Sequence, residues 1–226
     1  MTPDEQQDLD NRLIAADGHH DIKTVQALLA AGADVHAQND LALRWSAAWN
    51  GHTETVKVLL AAGADVHAED DQALRFAAKN DHTETVRTLL AAGADVHARD
   101  DQALRWSAAW QGHTVTVKVL LAAGADVHAE DDYALRDAAC NGQTQTVTVL
   151  AAHIFAPDSW HGKSRAEIEA GARALYGKIE GENPQRERLQ KAASIIADCA
   201  IDCWHQVRPA PPKLNISPLP AQPRPV

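Results

Sequence analysis

The sequence predicts an all-α chain: a solenoid of helix-turn-helix repeats with short loops, followed by a C-terminal helical pair and a Pro-rich tail. Three observations carry this reading. The heptapeptide Ala-Gly-Ala-Asp-Val-His-Ala occurs four times, its glycine at Gly32, Gly63, Gly93 and Gly124, at intervals of 31, 30 and 31 residues. A second marker, Ala-Leu-Arg, sets Arg44, Arg75, Arg105 and Arg136 at the same spacing, so a whole unit recurs rather than one short motif. Between the markers, apolar residues fall at helical intervals. Units of this size cannot bury their apolar face alone and must stack on their neighbours.

Each element follows from the residues of one unit. Thr53 stands where a helix cap belongs, and Val56, Leu59 and Leu60 then share one face of a short amphipathic helix. Gly63 falls at the left-handed position that ends helices, where a Cβ would be strained. Upstream, Leu43 to Trp49 carries Ala47 and Ala48, small enough for a second helix to approach, and Asn50-Gly51 breaks the two apart. The array therefore spans residues 1–156 in five units: 5–37, 38–68, 69–98, 99–129 and 130–156.

These residues resemble ankyrin repeats, whose pattern Leu-His-x-Ala-Ala-x-x-Gly-His followed by Val-x-x-Leu-Leu-x-x-Gly-Ala-Asp-Val-Asn is followed here nearly position for position over about residues 5–156. The first unit is degenerate and the last loses its terminal Gly-Ala-Asp. Two departures stand out. From Ala98 to Leu104 the chain is three residues shorter than the family's projecting finger and lacks its Gly-x-Thr-Pro, and Arg105 replaces the family histidine, so a tight loop is expected. Arg44 to His52 and Arg105 to His113 also carry one residue more than Arg75 to His82 and Arg136 to Gln143. Units thus alternate long and short, and the 61-residue intervals from Trp45 to Trp106 and from Trp49 to Trp110 point to a duplicated two-unit block.

Residues 157–207 leave the period. Ser164-Arg165-Ala166-Glu167 is a capping box opening a helix with Ile168, Ala172, Leu175 and Ile179 on one face, which Gly181 can stop. Asn183-Pro184 starts a second, aligning Leu189, Ala193, Ile196, Ala200 and Cys203. Because the fifth unit ends in the apolar Leu150-Ala151-Ala152-His153-Ile154-Phe155, this pair is expected to cap the stack; a separate partner-binding or dimerising module is the alternative. Residues 208–226 hold seven prolines in 19 positions, which favours extended polyproline conformation without a core, so a disordered tail is expected. Pro209-Ala210-Pro211-Pro212-Lys213 matches a proline-rich ligand superficially, a match common by chance.

Charge narrows the partners. With 31 Asp and Glu against 21 Lys and Arg the formal net charge is −10, which disfavours nucleic acid and favours a neutral or basic protein surface. The acid concentrates in residues 1–157, with 23 acidic and 11 basic side chains, against 8 and 10 in the rest. No apolar run approaches a membrane span and the N-terminus resembles no secretion signal, so a soluble, cytoplasmic and monomeric protein is expected. Three cysteines, Cys140, Cys199 and Cys203, make no disulfide framework.

Twelve histidines invite a metal or catalytic reading. His36, His67, His97 and His128 recur at one unit position and His52, His82 and His113 at another, so they form ladders about 8–10 Å apart, too far for shared ligation. Neutral imidazoles bonded to backbone of the adjoining turn account for both. Cys199 and Cys203 share a helix face near His205, but zinc needs four ligands and a buried apolar role fits better. Asp70-Asp71, Asp100-Asp101 and Asp131-Asp132 recur beside the arginines, which suggests Asp/Arg pairing along the stack with the spare carboxylates solvated. No metal, cofactor or enzyme activity is expected. Gly32, Gly63, Gly93, Gly124, the first histidine ladder and the four arginines are assigned structural roles.

The resemblance divides the aromatics. Trp45, Phe76 and Trp106 occupy a position that packs between units in ankyrin repeats and are expected in the core. Trp49 and Trp110 fall at the end of the first helix, on the variable pair that looks out from the concave side. Together with Lys79 and Asn80 between them, and Leu41, Gln72, Gln102 and Tyr133 in the adjacent loops, they form the expected contact surface. Folding back of both indoles to fill space is the alternative. The implied function is a non-enzymatic scaffold that binds a partner protein through its concave and loop face. The rivals are an inhibitor occluding a basic groove of a target enzyme, an enzyme or metal site around Cys199, Cys203 and His205, and an assembly protein dimerising through one end of the stack.

Overall fold

The computed structural model describes residues 1–17, 21–49, 51–109, 112–160, 163–180 and 186–207. All regular structure among them is helical: α1 (Pro3–Asp17), α2 (Ile22–Ala30), α3 (Ala37–Ala48), α4 (Thr53–Ala61), α5 (Ala68–Lys79), α6 (Thr83–Ala91), α7 (Ala98–Ala109), α8 (Thr114–Ala122), α9 (Ala129–Cys140), α10 (Thr144–Ile154), α11 (Pro157–Trp160), α12 (Arg165–Glu180) and α13 (Arg186–Val207). Helices α1 to α10 pair in sequence as five hairpins. First helices α1, α3, α5, α7 and α9 stack in one layer, and second helices α2, α4, α6, α8 and α10 in the other. The solenoid predicted from the repeat is therefore the observed fold.

One leucine per helix makes the spine. Leu43, Leu59, Leu74, Leu89, Leu104, Leu120, Leu135 and Leu150 are fully buried between the layers, each contributing about 1.5–3 kcal/mol of apolar transfer. Ala47, Ala77, Ala78, Ala108 and Ala138 are buried as well, and their small side chains let the first helices approach. At the corner after α4, Gly63 takes φ 99°, the Ala64 N–H reaches the Leu59 carbonyl at 3.0 Å and the Gly63 N–H reaches that of Leu60. This doubly bonded ending satisfies carbonyls that would otherwise be orphaned.

The second helices begin differently from expectation. His52, His82, His113 and Gln143 occupy the cap position, and none of them caps through its side chain. The threonines stand one residue inside. Their hydroxyls instead bond across units, Thr53 to Thr85 at 2.8 Å, Thr83 to Thr116 at 2.7 Å and Thr114 to Thr146 at 3.0 Å. The cause lies one residue before the cap, where Gly51, Asp81, Gly112 and Gly142 turn the chain with positive φ.

The shortened finger is a single left-handed turn. Glu69, Asp70 and Asp71 have φ of 53°, 55° and 55°, and the same triple recurs at 38–40, 99–101 and 130–132. Each such residue costs about 1–2 kcal/mol outside glycine, least for Asn and Asp, so the turn needs bonds that exist only in this conformation. The arginine supplies two: Arg75, 3% exposed, donates through Nε to the Asp70 carbonyl and through Nη2 to that of Glu69, both at 2.8 Å. Arg44 and Arg105 repeat the clamp, and Arg136 reaches the Asp131 carbonyl at 3.1 Å.

The paired aspartates consequently divide. Asp71, 4% exposed, accepts the Asp95 N–H at 2.8 Å and the His67 Nδ1–H at 3.2 Å, tying the start of the first helix to the corner after the second. Asp40 and Asp101 do the same, and Asp10 serves the degenerate first unit by accepting from the Asp34 amide. Two expectations are corrected here. The arginines grip carbonyls rather than the repeated aspartates as their main partners, although Arg99 pairs with the exposed Asp70 at 2.8 Å and Arg136 lies 3.7 Å from Asp131. And His36, His67, His97 and His128 bond a carboxylate through Nδ1 instead of backbone.

Beyond the array, α13 lies along α10 and touches α9, and α12 packs on α13 and α9. Leu150, Ala151, Ile154 and Phe155 are buried, as are Ile168, Leu175, Ile196 and Cys203. Ser164 and Glu167 form reciprocal backbone bonds at 2.7 and 3.3 Å, and these bonds hold the Glu167 carboxyl below its ordinary range. The expected helix stop at Gly181, the start at Asn183-Pro184 and the tail 208–226 lie outside the described residues.

Candidate functional site

A groove of about 920 Å³ opens on the first-helix face between the second and third units. Helix α3 contributes Arg44, Trp45, Ala48 and Trp49; α5 contributes Gln72, Phe76 and Lys79, with Asn80, His82 and His113 at the corner end. The residues after Arg44 and Arg75, Trp45 and Phe76, line this groove, and Trp106 follows Arg105 in the next unit. Trp45 is 44% exposed and Trp49 74%. Phe76 and Trp106 are half-buried, edge to face at 5.8 Å, and the Lys79 ammonium lies 5.2 Å from the Trp106 ring and 5.9 Å from that of Phe76.

Trp45 was expected in the core and is not there. The left-handed turn restarts α3 with Ala42, Leu43, Ser46 and Ala47 facing inward, which turns the residue after Arg44 toward solvent. The recurrence of an aromatic residue after each of three arginines was the sequence signal for this face. Of the other expected contact residues, Gln72 lines the groove but accepts a hydrogen bond from Arg44 Nη1. Gln102 accepts likewise from Arg75, and Tyr133 lies under the Arg105 guanidinium at 5.6 Å. Asn80 donates to the Ala48 carbonyl and Asn141 to that of Ala109 at 2.8 Å, so each closes the end of the preceding first helix. Leu41, Gln102 and Tyr133 do not line the groove, and Trp110 lies outside the described residues.

The second histidine ladder forms the corner end. His113 Nε2 lies 3.1 Å from the Lys79 carbonyl. His82 packs where a Cβ on Gly51 would come within 2.5 Å of its ring, so glycine is required in the unit before. Burial pulls the His82 imidazole below its ordinary range, against the carbonyls of Ala48 and Trp49, which favour the charged form. Burial thus favours the neutral form of His82.

Elsewhere, burial raises the Cys203 thiol, and burial with Asp202 and Asp198 raises Cys199, which disfavours the thiolate that nucleophilic or metal chemistry requires. Among the described residues no three His, Cys, Asp or Glu side chains converge on a point that could hold a metal ion. Nor is any described helix long and apolar enough to cross a membrane.

At the corner end of the groove His113 Nδ1 lies 3.4 Å from the Asp81 carboxylate. Comparison with known proteins agrees with the architecture: the family description "Ankyrin repeats (3 copies)" matches residues 12–100, and "Ankyrin repeat" matches residues 103–132. No curated protein matches the chain. With its stacked hairpins and its repeat motifs in register, the chain belongs to the ankyrin repeat family, whose members are generally protein–protein interaction modules.

Proposed function

We propose that the chain is a non-enzymatic scaffold that holds a partner protein against the first-helix groove, with Trp49 as its anchor. The observation that carries this reading is the 74% exposure of Trp49 beside the half-exposed Trp45. Leaving two indoles in water forgoes apolar burial that a partner recovers, and tryptophan dominates interface hot spots because it buries much area with few rotors. The fingertip carboxylates of Glu69, Asp70, Asp100 and Asp131 are exposed along one rim and steer a neutral or basic protein surface rather than nucleic acid. The same row favours a second reading, occlusion of a basic groove on a target enzyme, which steep salt dependence of binding would distinguish. The reading extends to a monomer working in the cytoplasm.

The test is affinity capture from the native cell with wild type beside Trp49→Ala. The specific partner is lost with the variant while the melting temperature stays within a few degrees. A variant that captures the same partner as well as wild type refutes the assignment of the groove.

A further inference from the structure

We infer that the partner side chain seated in this groove is an arginine, its guanidinium over the Trp45 indole with Trp49 beside it, presented by a basic segment of the partner protein. The inference rests on the groove being the binding surface, as proposed above, and names the chemistry that surface accepts.

The array itself shows what belongs there. At the next seam the Lys79 ammonium lies 5.2 Å from the Trp106 ring and 5.9 Å from that of Phe76, and at the seam after it the Arg105 guanidinium lies 5.6 Å from the Tyr133 ring. An aromatic face draws a cation through its quadrupole, so these three rings are covered from within the chain. Lys79 stands four residues after Arg75. Four residues after Arg44 stands Ala48, whose methyl group carries no charge to a ring. Trp45 and Trp49 are both exposed, and among the described residues no cation lies over either. The groove opens beside Ala48, where the next unit has its lysine, and Trp45, Trp49 and Phe76 line it. Trp45 and Trp49 stand one helical turn apart, and the Trp49 N–H bonds the Trp45 carbonyl, so the two indoles neighbour each other on one face.

Charge favours a cation from outside. Residues 1–157 carry 23 acids against 11 bases, and Glu69 and Asp70 are exposed at the start of α5. Of the two bases on the groove, Arg44 is spent on the Gln38 and Asn39 carbonyls and on Gln72, and the Lys79 ammonium lies over the rings of the next seam. Arginine suits the place better than lysine: its guanidinium is more weakly hydrated and stacks flat on an indole, while its stem covers apolar surface.

The test titrates the full chain with acetylated hexaarginine and follows the indole N–H signals of its ¹H–¹⁵N spectrum, with Trp45 and Trp49 assigned by Trp45→Phe and Trp49→Phe. The peptide should shift both signals and leave that of Trp160 in place. Replacing Trp45 and Trp49 together by leucine alters no charge and should weaken binding about three- to tenfold at constant salt. Ala48→Lys supplies the cation from within and should weaken it by a similar factor, whereas Thr88→Lys, which adds the same charge on α6, should leave it within about twofold of wild type. Hexacitrulline, similar in shape but neutral, shifting the indoles as strongly overturns the proposal, as does hexaarginine binding to the double leucine variant as tightly as to wild type. Hexalysine binding as tightly as hexaarginine overturns the choice of arginine. If Trp49→Ala loses the captured partner while hexaarginine leaves both indoles unmoved, this inference fails and the scaffold reading stands.

Discussion

Replacing Asp71 by alanine tests the device that holds the finger. The carboxylate is buried, accepts the Asp95 amide at 2.8 Å, and belongs to a residue at φ 55°. Losing a charged acceptor for a buried amide costs about 1.5–3 kcal/mol. Placing alanine in left-handed backbone adds about 1–2 kcal/mol. The sum, about 2.5–5 kcal/mol, falls on one unit of a stack whose stability is a sum over neighbours. Asn at the same position keeps an acceptor and tolerates the backbone, so Asp71→Asn should lose only about 1 kcal/mol. Urea unfolding followed by far-ultraviolet circular dichroism reads both, with the slope checked for loss of cooperativity. If Asp71→Ala falls within 0.5 kcal/mol of wild type, or if Asn is as damaging as Ala, the buried carboxylate is not what stabilises the left-handed turn.

Gly63→Ala meets no atom within 4 Å but must adopt φ 99°, so it should cost about 1 kcal/mol in the same assay through backbone strain alone. His82 gives a pH dependence: its folded-state affinity for protons is lowered, so the unfolded chain binds more protons as pH falls through the ordinary histidine range. Stability from this group is present above about pH 6.5 and is lost below it, and His82→Gln, the residue that Gln143 places at the equivalent corner, should flatten that slope. Cys203 is 1% exposed with its thiol raised, so an aromatic disulfide reagent at neutral pH should leave it unmodified until denaturant is added.

The stack of helix pairs was legible because its signals are local and repeated four times: a glycine where a helix must end, a leucine at each inward position and alanines where helices meet. What escaped is set by partners far away in sequence. Asp70 and Asp71 look alike in the chain, and only the Asp95 amide, 24 residues beyond Asp71, makes one a buried tie while the other meets Arg99 at the surface. Thr53 looks like a helix cap until the positive φ at Gly51 shifts the start of α4 and turns its hydroxyl toward Thr85. Trp45 is core by the position it shares with ankyrin repeats, and the left-handed turn that restarts α3 gives its helix a different phase. Within the site, Trp49, Lys79, Asn80 and Gln72 were read from position, and the structure gathers them along one groove. The intervening hydrogen bonds of Gln72 and Asn80 depend on helix-to-helix distances that spacing alone does not fix.

Long and short units meet through two different joints. A short unit closes onto the long one before it, Asn80 onto Ala48 and Asn141 onto Ala109, whereas a long unit follows a short one through His113 and the Lys79 carbonyl. Inserting or deleting a single unit would bring long against long or short against short and disturb the bonds of Asn80, Asn141 and His113, whereas the threonine pairs and aspartate ties recur at seams of both kinds. The alternation thus makes a pair of units, 61 residues, the step that keeps these joints intact, the same interval that separates the tryptophans.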